Sequence, residues 1–585
     1  MFLRQEKRKD RIYLSIVETY VEPTTKKHKT RYVEVLGYLD ELEKEYDDPI
    51  AFFKAKAVKM TEEQKAGKKE KNIIINPDET LKLGEDSLKN AGYLALSAIY
   101  RELGLDRFFA QKQYKLSIGY NLNSIFRLLV YGRIIMPGSK KKTYEKKHKF
   151  FDKSNFALED VYRSLSFFAK FSDDIQKWLY SKVSQFYKRD TSISYYDVTN
   201  YYFEIDRNDE DIKDDNGNII KTGFRKKGVN KEHRPLPIVQ MGLFMDKNGL
   251  PVSFKLFDGN TNDTLTLRPA LKDARMKYGL GKVIVVADKG LNSGDNIYYL
   301  KTGKNGYVVS KSVRGGSCEL KKYVLDPEGY TDYGGESGFK IKSKPIVRTI
   351  EVTKADGSGK FKHKVEEKLV VFYSEKYAKR AAHDRQNAIE KAKDMIAHPG
   401  KYTRATSYGA AKYVSGLSFV EDTGEIATGM ELSFNQNALD EDEKLDGYYA
   451  IYTSEIDKSQ EEILEIYRGL WRIEESFKIT KSTLEARPVY VSLKDHIHAH
   501  FLICFVSLLI MRILELKVQR KHCCGEIAES LRNYNCIECG QNYYRFTYFN
   551  EVIKDLGDAL DIDFSPKYRT LGEIKKIFKN PKKGS

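Results

Sequence analysis

Three carboxylates in this sequence of 585 residues occupy positions from which they could act together in catalysis. Asp197 lies in the middle of Thr191–Tyr202, a run rich in Ile, Tyr, Val and Thr that predicts a buried strand. Asp288 ends a second apolar strand, Lys282–Asp288, and Glu474 lies on a predicted helix. A buried charge is costly unless it is paired or binds a metal. Two strand aspartates and a helix glutamate could bind a pair of divalent cations, which take oxygen ligands, whereas Asp197 alone could simply face water at a sheet edge.

The composition favours an acidic partner. Lys and Arg number 100 against 83 acidic residues, which gives a net charge of +17 and a pI near 9.1. This excess favours nucleic acid, with a merely soluble basic protein as the alternative. The 40 Tyr and 30 Phe residues can stack on bases or fill a core. A hydrophobic content of 41% predicts a globular protein, and the length predicts two to four structural units.

Several functional classes receive no support from the sequence. The start, MFLRQEKRKDR, has no apolar signal region, and the longest apolar run, Phe501–Met511, is too short to span a bilayer. That run therefore predicts a buried helix and no membrane association. Six Cys residues are too few for a disulfide framework, which favours a reducing, cytoplasmic compartment. The chain lacks GxxxxGK[ST], so the sequence argues against a P-loop nucleotide motor.

Six segments are predicted along the chain. They are an N-terminal β-hairpin with a basic linker (1–80), a helical DNA-binding region (81–190), the first part of a core (191–311), a β-rich insertion (312–450), a second part of the core with the Glu474 helix (451–520), and a C-terminal region (521–585). Within the core, the order strand, strand, strand, helix, strand predicts a mixed sheet with the first and fourth strands side by side. In the helical region, a run of lysines suits either phosphate contacts or an idle solvated loop; it comprises Lys140, Lys141, Lys142, Lys146 and Lys147.

The predicted Glu474 helix carries an unusual set of side chains on one face. At about 100° per residue, five residues fall within a stripe about 80° wide. They are Tyr467, Trp471, Glu474, Lys478 and Lys481. The stripe therefore presents a phenol, an indole, a carboxylate and two ammonium groups, although a solvated helix with an aromatic staple is the alternative.

The spacing Tyr467-x6-Glu474-x6-Lys481, with WRIEESFK around the glutamate, resembles the signature of insertion-sequence DDE transposases. It is similar to the group named for Tyr-x2-Arg-x3-Glu-x6-Lys, the IS four-like superfamily. The segments YYDVTNYYF and DKGLNS resemble the first and second aspartate motifs of that group. The stretch HRPLPIVQMGLFMDKNGLPVSFKLFDGNTNDTLTL is similar to its segment between them. The resemblance covers roughly residues 190–515.

The resemblance implies an α/β, RNase H-like mixed sheet with a β-rich insertion, preceded by a helical N-terminal region. It implies a transposase that binds terminal inverted repeats and that cuts and joins DNA. The reaction would use two divalent metal ions, which are expected to be Mg²⁺, with Mn²⁺ able to substitute. Asp197 would bridge both ions, Asp288 would hold one and Glu474 the other. The residues expected to contact DNA are Tyr467, Lys478, Lys481, Trp471 and Arg472.

The expected partners are double-stranded DNA, from the transposon ends and the target, and a second copy of the chain in a synaptic complex. The expected location is the nucleoid of a bacterial or archaeal cytoplasm. The alternatives are an RNase H-like nuclease without strand transfer and an inactive DNA-binding protein derived from a transposase. One position departs from the family pattern, because Leu470 stands where the family has Arg. Lys478, on the same stripe as Glu474, would supply the missing charge.

Two weaker signals concern other metals. Only one CxxC spacing, Cys536–Cys539, occurs near the adjacent pair Cys523 and Cys524, so buried or idle thiols are favoured over a zinc site. The run His496, His498 and His500 lacks the HExxH pattern, so contacts of a helix end with solvent or DNA are favoured over metal binding.

Overall fold

The computed structural model describes residues 1–21, 28–66, 78, 80–152, 154–228, 236–335, 338–404, 406–420, 424–427, 431–540 and 542–579. The chain forms two compact units, Met1–Leu83 and Gly84–Ser585.

The first unit is a three-stranded antiparallel sheet with two helices. Its elements are β1 (Phe2–Arg8), β2 (Arg11–Val21), β3 (His28–Tyr38), α1 (Leu39–Leu42) and α2 (Pro49–Ala66). The pairing of β2 with β3 confirms the predicted hairpin, whose polar turn falls in 22–27, outside the described residues. Leu14 and Ile16 on β2 are fully buried, and Phe53 and Ala57 of α2 are nearly so.

The second unit begins with a mostly helical region. Its elements are β4 (Leu88–Asn90), α3 (Tyr93–Glu102), α4 (Leu105–Gln113), α5 (Leu122–Ile135), α6 (Lys140–Glu145), α7 (Leu158–Lys170) and α8 (Ser172–Tyr187). The apolar spacing of three and four residues predicts the longer of these helices correctly, since their apolar faces are buried in one core.

A central group of strands follows. Its elements are β5 (Ile193–Tyr202), β6 (Ile212–Lys213), β7 (Ile219–Lys221), β8 (Ile238–Asp246), β9 (Pro251–Asp258), α9 (Leu267–Tyr278), β10 (Ile284–Ala287), α10 (Gly294–Thr302), β11 (Gly306–Lys311) and α11 (Cys318–Leu325). β5, β8 and β9 are successively antiparallel, whereas β10 pairs in parallel with both β5 and β11. The predicted neighbours, the first and fourth strands, are therefore paired.

The next segment adds strands to the same sheet. Its elements are β12 (Thr331–Asp332), β13 (Phe339–Thr353), β14 (Lys360–Ser374), α12 (Glu375–Ala397), β15 (Val414–Ser415), β16 (Ser433–Phe434) and α13 (Gln436–Lys444), and they are followed by β17 (Tyr448–Thr453). The large sheet has nine strands in the order β12-β13-β14-β17-β11-β10-β5-β8-β9. β14 pairs with β17, so the predicted insertion extends the sheet, while α12 and its neighbours form a small separate core.

The rest of the chain is again largely helical. Its elements are α14 (Gln460–Arg468), α15 (Trp471–Lys478), a π-helix (Ile479–Thr483), α16 (Lys494–Lys517), α17 (Cys524–Asn533), β18 (Asn535–Glu538), β19 (Tyr543–Phe546), α18 (Glu551–Leu560), β20 (Tyr568–Thr570) and α19 (Leu571–Lys579). α16 is long and apolar enough to cross a membrane, but 94% of its most apolar stretch is buried in the fold, where it packs against α5 and α7. This confirms the predicted buried helix.

The two faces of the large sheet are covered by different cores. Alternate residues of β5 point to opposite faces, so Tyr195 and Tyr201 pack with α14, α15 and α16, whereas Tyr196 and Val198 pack with α9 and α10. By the same alternation, Asp197 belongs to the face that carries α14 and α15. The chain is thus an α/β protein with a mixed sheet.

Candidate active site

Asp197 and Asp288 come from neighbouring parallel strands. Ile284, Val285 and Val286 of β10 pair with Ile193, Ser194 and Tyr195 of β5. The same register continued by two residues places Asp288 opposite Asp197. Neighbouring strands lie about 4.8 Å apart, and both side chains are partly exposed. The structure therefore brings the two predicted aspartates together at one sheet position.

A serine hydroxyl orients the second aspartate. The hydroxyl of Ser310, on β11, donates to Asp288 Oδ1 at 2.8 Å. The phenol of Tyr467 lies beside the same Ser310, and its pKa is raised by burial and raised further by the charges of Asp288 and Glu474. Tyr467 is thus a neutral phenol within range of both carboxylates. Sequence reasoning missed Ser310, although a polar residue in the apolar strand GYVVSK is the signal that could have identified it.

A cavity of about 200 Å³ opens beside Asp288, Ser310 and Tyr467. Asp288, Ser310 and Tyr467 form one part of its wall, with three more tyrosines and three cations around them. These are Tyr377, Tyr448, Tyr449, Lys289, Lys311 and Arg314. The combination of cations and phenols next to a carboxylate suits an anionic ligand that approaches Asp288.

The helix that carries Glu474 is not continuous, which corrects the prediction of one helix from 465 to 482. α14 ends at Arg468 and α15 begins at Trp471, and the amide of Leu470 bonds to the carbonyl of Tyr467, three residues earlier, at 2.9 Å. The break lies where the chain crosses β5. A Cβ at Gly469 would overlap the hydroxyl of Tyr195, so glycine permits this close approach.

The stripe predicted for an ideal helix holds only within α15, where Trp471, Glu474 and Lys478 are all exposed. Tyr467 precedes the break and is half-buried at Ser310. Lys481 lies in the π-helix, which changes the angular spacing, and its ammonium is 5.9 Å from the ring centre of Tyr201. The five side chains therefore flank the site without forming a single stripe.

Two residues next to Glu474 are held away from the carboxylates. Leu470, at the position of the family Arg, is only 5% exposed and packs in the large core. Arg472, predicted to contact DNA, donates through Nη1 to the carbonyl of Lys247 at 2.6 Å, in the turn between β8 and β9. Its guanidinium is thus held to one side of the carboxylates.

The donor chemistry of the site fits hard divalent cations, since its candidate ligands are carboxylate oxygens. α15 packs against β5, which brings the helix of Glu474 to the strand of Asp197. In the part of the chain that the structure describes, however, no group of three His, Cys, Asp or Glu side chains is already close enough to hold a metal ion. The two aspartates are in register, and the third carboxylate remains on the exposed face of its helix.

The weaker metal signals receive no support from the described residues. Cys524 and Cys536 are buried and Cys523 is exposed, and none of them belongs to a metal-binding group there. His500 is buried, so the expected contact with solvent or DNA is wrong for this residue. Its Nε2 donates to the carbonyl of Ala486 at 2.9 Å, because a carbonyl oxygen can only accept.

The ring nitrogen Nδ1 of His500 is therefore an acceptor, and the ammonium of Lys140 lies 2.6 Å from it. Lys140 is buried, so it is unavailable for the phosphate contacts predicted from the lysine run, whereas Lys141 and Lys142 are exposed. Burial, with the charge of Arg133, lowers the pKa of Lys140 to about 7.

Comparison with known proteins gives two family matches. Residues 217–510, half of the chain, match the model described as the transposase DDE domain, and residues 3–71 match that of the IS1634 family transposase N-terminal domain. The DDE match includes Asp288 and Glu474 and begins after Asp197. No curated protein sequence matches the chain.

Similar solved structures include two transposase complexes, both at low TM-scores. One is the piggyBac transposase synaptic complex with hairpin DNA, with 8% identity, a TM-score of 0.34 and 84% of each chain covered. The other is a pre-cleavage Mos1 transpososome, with 11% identity, a TM-score of 0.14, and 38% of this chain and 77% of that chain covered. At such scores neither likeness carries an argument about this protein.

Proposed function

The chain belongs to the DDE transposase family, and on that premise we propose that it cuts the ends of its own mobile element and joins them to new DNA. Membership makes the protein a DNA transposase, an enzyme of metal-dependent DNA cleavage and transposition. The match of its first residues to an insertion-sequence N-terminal domain agrees with this assignment.

The five central strands support an RNase H-like fold for the catalytic core. Their spatial order is β9-β8-β5-β10-β11, with three antiparallel strands followed by two that run parallel to β5. We assign the strands from β12 to β14 to an insertion between the second aspartate and the glutamate. The segment boundaries predicted from sequence are part of this proposal.

The observation that carries the proposed chemistry is the register of Asp197 with Asp288, with the helix of Glu474 packed on the strand of Asp197. Family members generally use divalent metal ions. Here the three carboxylates would hold two Mg²⁺ ions, for which Mn²⁺ could substitute. Bound ions of this kind activate the attacking oxygen and stabilise the leaving one in phosphodiester cleavage.

The surrounding residues have complementary roles. Ser310 orients Asp288 through its hydroxyl. Lys478 and Lys481 flank Glu474 with positive charge, which suits contacts with DNA phosphates. Tyr467, as a neutral phenol, donates a hydrogen bond either to Ser310 or to a phosphate oxygen.

The proposed partners are double-stranded DNA, at the element's ends and at the target, and a second copy of the chain. The net charge of +17 supports the first. Joining two ends at one target requires two sets of carboxylates, which supports a dimer in the joined complex. The proposed site of action is the cytoplasm, at the nucleoid.

Removal of single carboxylates tests this function. We expect Asp197→Asn, Asp288→Asn and Glu474→Gln each to abolish Mg²⁺- and Mn²⁺-dependent cleavage of a duplex that carries the element's end, while end binding persists. Glu475→Gln is the matched control, because Glu475 is paired with Arg512 at 2.9 Å and Arg512 retains Glu515 as a second partner. A carboxylate variant that cleaves at a tenth or more of the wild-type rate would remove that residue from the site.

A joining assay separates the proposal from a nuclease without strand transfer. A precut end with a free 3′-hydroxyl is supplied with target DNA and divalent metal. We expect it to be joined by the wild-type protein and not by Asp288→Asn. Cleavage without joining would favour the nuclease, and binding without either reaction would favour an inactive derivative.

A further inference from the structure

The turn between β8 and β9 collects positive charge from three parts of the chain. Arg472 of α15 donates to the carbonyl of Lys247, and the guanidinium of Arg520, beyond α16, donates to the carbonyl of Asn248. The ammonium of Lys247 is about half exposed at the same turn. Gly249 has φ +77°, and a Cβ there would lie 2.9 Å from Arg472 Cδ, so glycine leaves room for the arginine stem.

Two of these charges lie close together. Burial lowers the pKa of Arg472, and the positive charge of Arg520 lowers it further, which shows that the two guanidinium groups are close. Among the residues that the structure describes, no carboxylate forms an ion pair with either arginine, and only Asp190 reaches Lys247, at 3.8 Å. The buried Nε of Arg472 has no protein partner. Two cations at one turn repel each other unless an anion joins them.

An exposed indole lies next to this turn. Trp471 is 53% exposed, and the guanidinium carbon of Arg472 is 6.0 Å from its ring centre. At about 100° per residue, Trp471 is about 60° from Glu474 around the helix and about 100° from Arg472, so it lies between them. An exposed ring beside cations suits nucleic acid, since bases stack on the ring and phosphates bind the cations.

We propose that Trp471, Arg472, Arg520 and the turn Lys247–Gly249 form a second DNA contact, here named the turn surface. It binds backbone phosphates and stacks on a base of the DNA that continues past Glu474. In the sheet order, β5 separates this turn from β10, which Asp288 directly follows, and from β11, which carries Ser310. The turn surface therefore holds a DNA segment distinct from that beside Tyr467. This inference rests on the proposed function.

The test uses exposed residues of the full-length protein, because Arg472 is half-buried and its loss could unfold the turn. A fluorescent duplex that carries the element's end is titrated with each variant at several salt concentrations. Losing one phosphate contact reduces the slope of log affinity against log salt by about 0.9. We therefore expect Arg520→Gln to weaken binding and to reduce the slope by about one unit.

Trp471→Ala should weaken binding and leave the slope unchanged, and Trp471→Phe should restore part of the affinity. Lys521→Gln is the matched control, because Lys521 is the exposed neighbour of Arg520 and faces Asp555 at 3.8 Å. It should bind like the wild type. Thermal melting of each variant verifies that the fold is retained.

Two truncated duplexes identify the DNA that the turn surface contacts. One lacks the flanking DNA and the other lacks the element's internal DNA. The effect of Arg520→Gln should disappear on one of them, which assigns the surface to the missing side. The inference is overturned if Arg520→Gln leaves affinity and slope unchanged on the full duplex, or if its effect persists on both truncated duplexes. The proposed function survives either result as long as cleavage still requires the three carboxylates.

Discussion

The hydrogen bond from Ser310 to Asp288 is open to a direct test by Ser310→Ala. The substitution removes the hydroxyl that donates at 2.8 Å to Asp288 Oδ1 and that lies beside the phenol of Tyr467. The carboxylate then loses a hydrogen bond that holds its orientation. We expect cleavage to slow mainly because the divalent metal is held less well.

The magnitude follows from the type of bond. A hydrogen bond to a charged group contributes roughly 1.5–3 kcal/mol, which corresponds to a loss of roughly 10- to 150-fold in the cleavage rate at limiting metal. Higher metal concentrations should recover part of the rate. Ser310→Thr keeps the hydroxyl in a residue type that suits a strand, so it should stay closer to the wild type. Tyr467→Phe should have a smaller effect than Ser310→Ala, because Ser310 still donates to Asp288.

The assay is single-turnover cleavage of a duplex that carries the element's end, over a titration of Mg²⁺ and then of Mn²⁺. Affinity for the same duplex is measured without divalent metal, where Ser310→Ala should match the wild type. Wild-type rates for Ser310→Ala at every metal concentration would refute the orienting role. Weaker DNA binding with an unchanged metal dependence would show instead that Ser310 and Tyr467 hold a phosphate.

Two further predictions concern lysines. Lys478→Ala should slow cleavage by ~2–3 kcal/mol of barrier without loss of metal binding, because Lys478 lies one helical turn from Glu474 on the exposed face; an unchanged single-turnover rate would contradict this. Burial lowers the pKa of Lys140 to about 7 from an ordinary 10.5, so between these pH values the unfolded chain binds one proton more than the folded chain. The free energy of unfolding, relative to that of Lys140→Met, should therefore rise across this interval by up to about 1.4 kcal/mol per pH unit. Urea unfolding of both proteins at pH 7.5, 8.5 and 9.5 measures the difference, and parallel curves would contradict the assigned pKa.

Local residue patterns predicted well the strands and turns that depend only on neighbouring residues in the sequence. The apolar runs around Asp197 and before Asp288 are strands, as predicted, and β8 and β9 form a hairpin whose turn includes Gly249. The order of elements also predicted that the strands of Asp197 and Asp288 lie side by side, and the structure pairs them in parallel. Sequence could not show that β13 and β14 extend the central sheet, because that depends on the pairing of β14 with β17 across the chain. Likewise Lys140 belongs to a lysine run that reads as a solvated surface, and only the packing of α16 reveals its buried contact with His500.

The Glu474 helix shows that residue spacing predicts a shared helix face only over a short, unbroken stretch of helix. The angular count assumes an unbroken helix, but α14 ends at Arg468 and α15 begins at Trp471, where Gly469 passes close to Tyr195, and the π-helix changes the spacing after Lys478. The break between α14 and α15 also changes the role expected for Leu470. The position lies in the junction and points into the core, so Leu470→Arg would bury an unpaired guanidinium at a cost of several kcal/mol and would not restore the rate of Lys478→Ala. The double variant Leu470→Arg with Lys478→Ala is therefore expected to cleave no faster than Lys478→Ala, and a double variant that regained the wild-type cleavage rate would show that the junction can turn residue 470 toward the carboxylates.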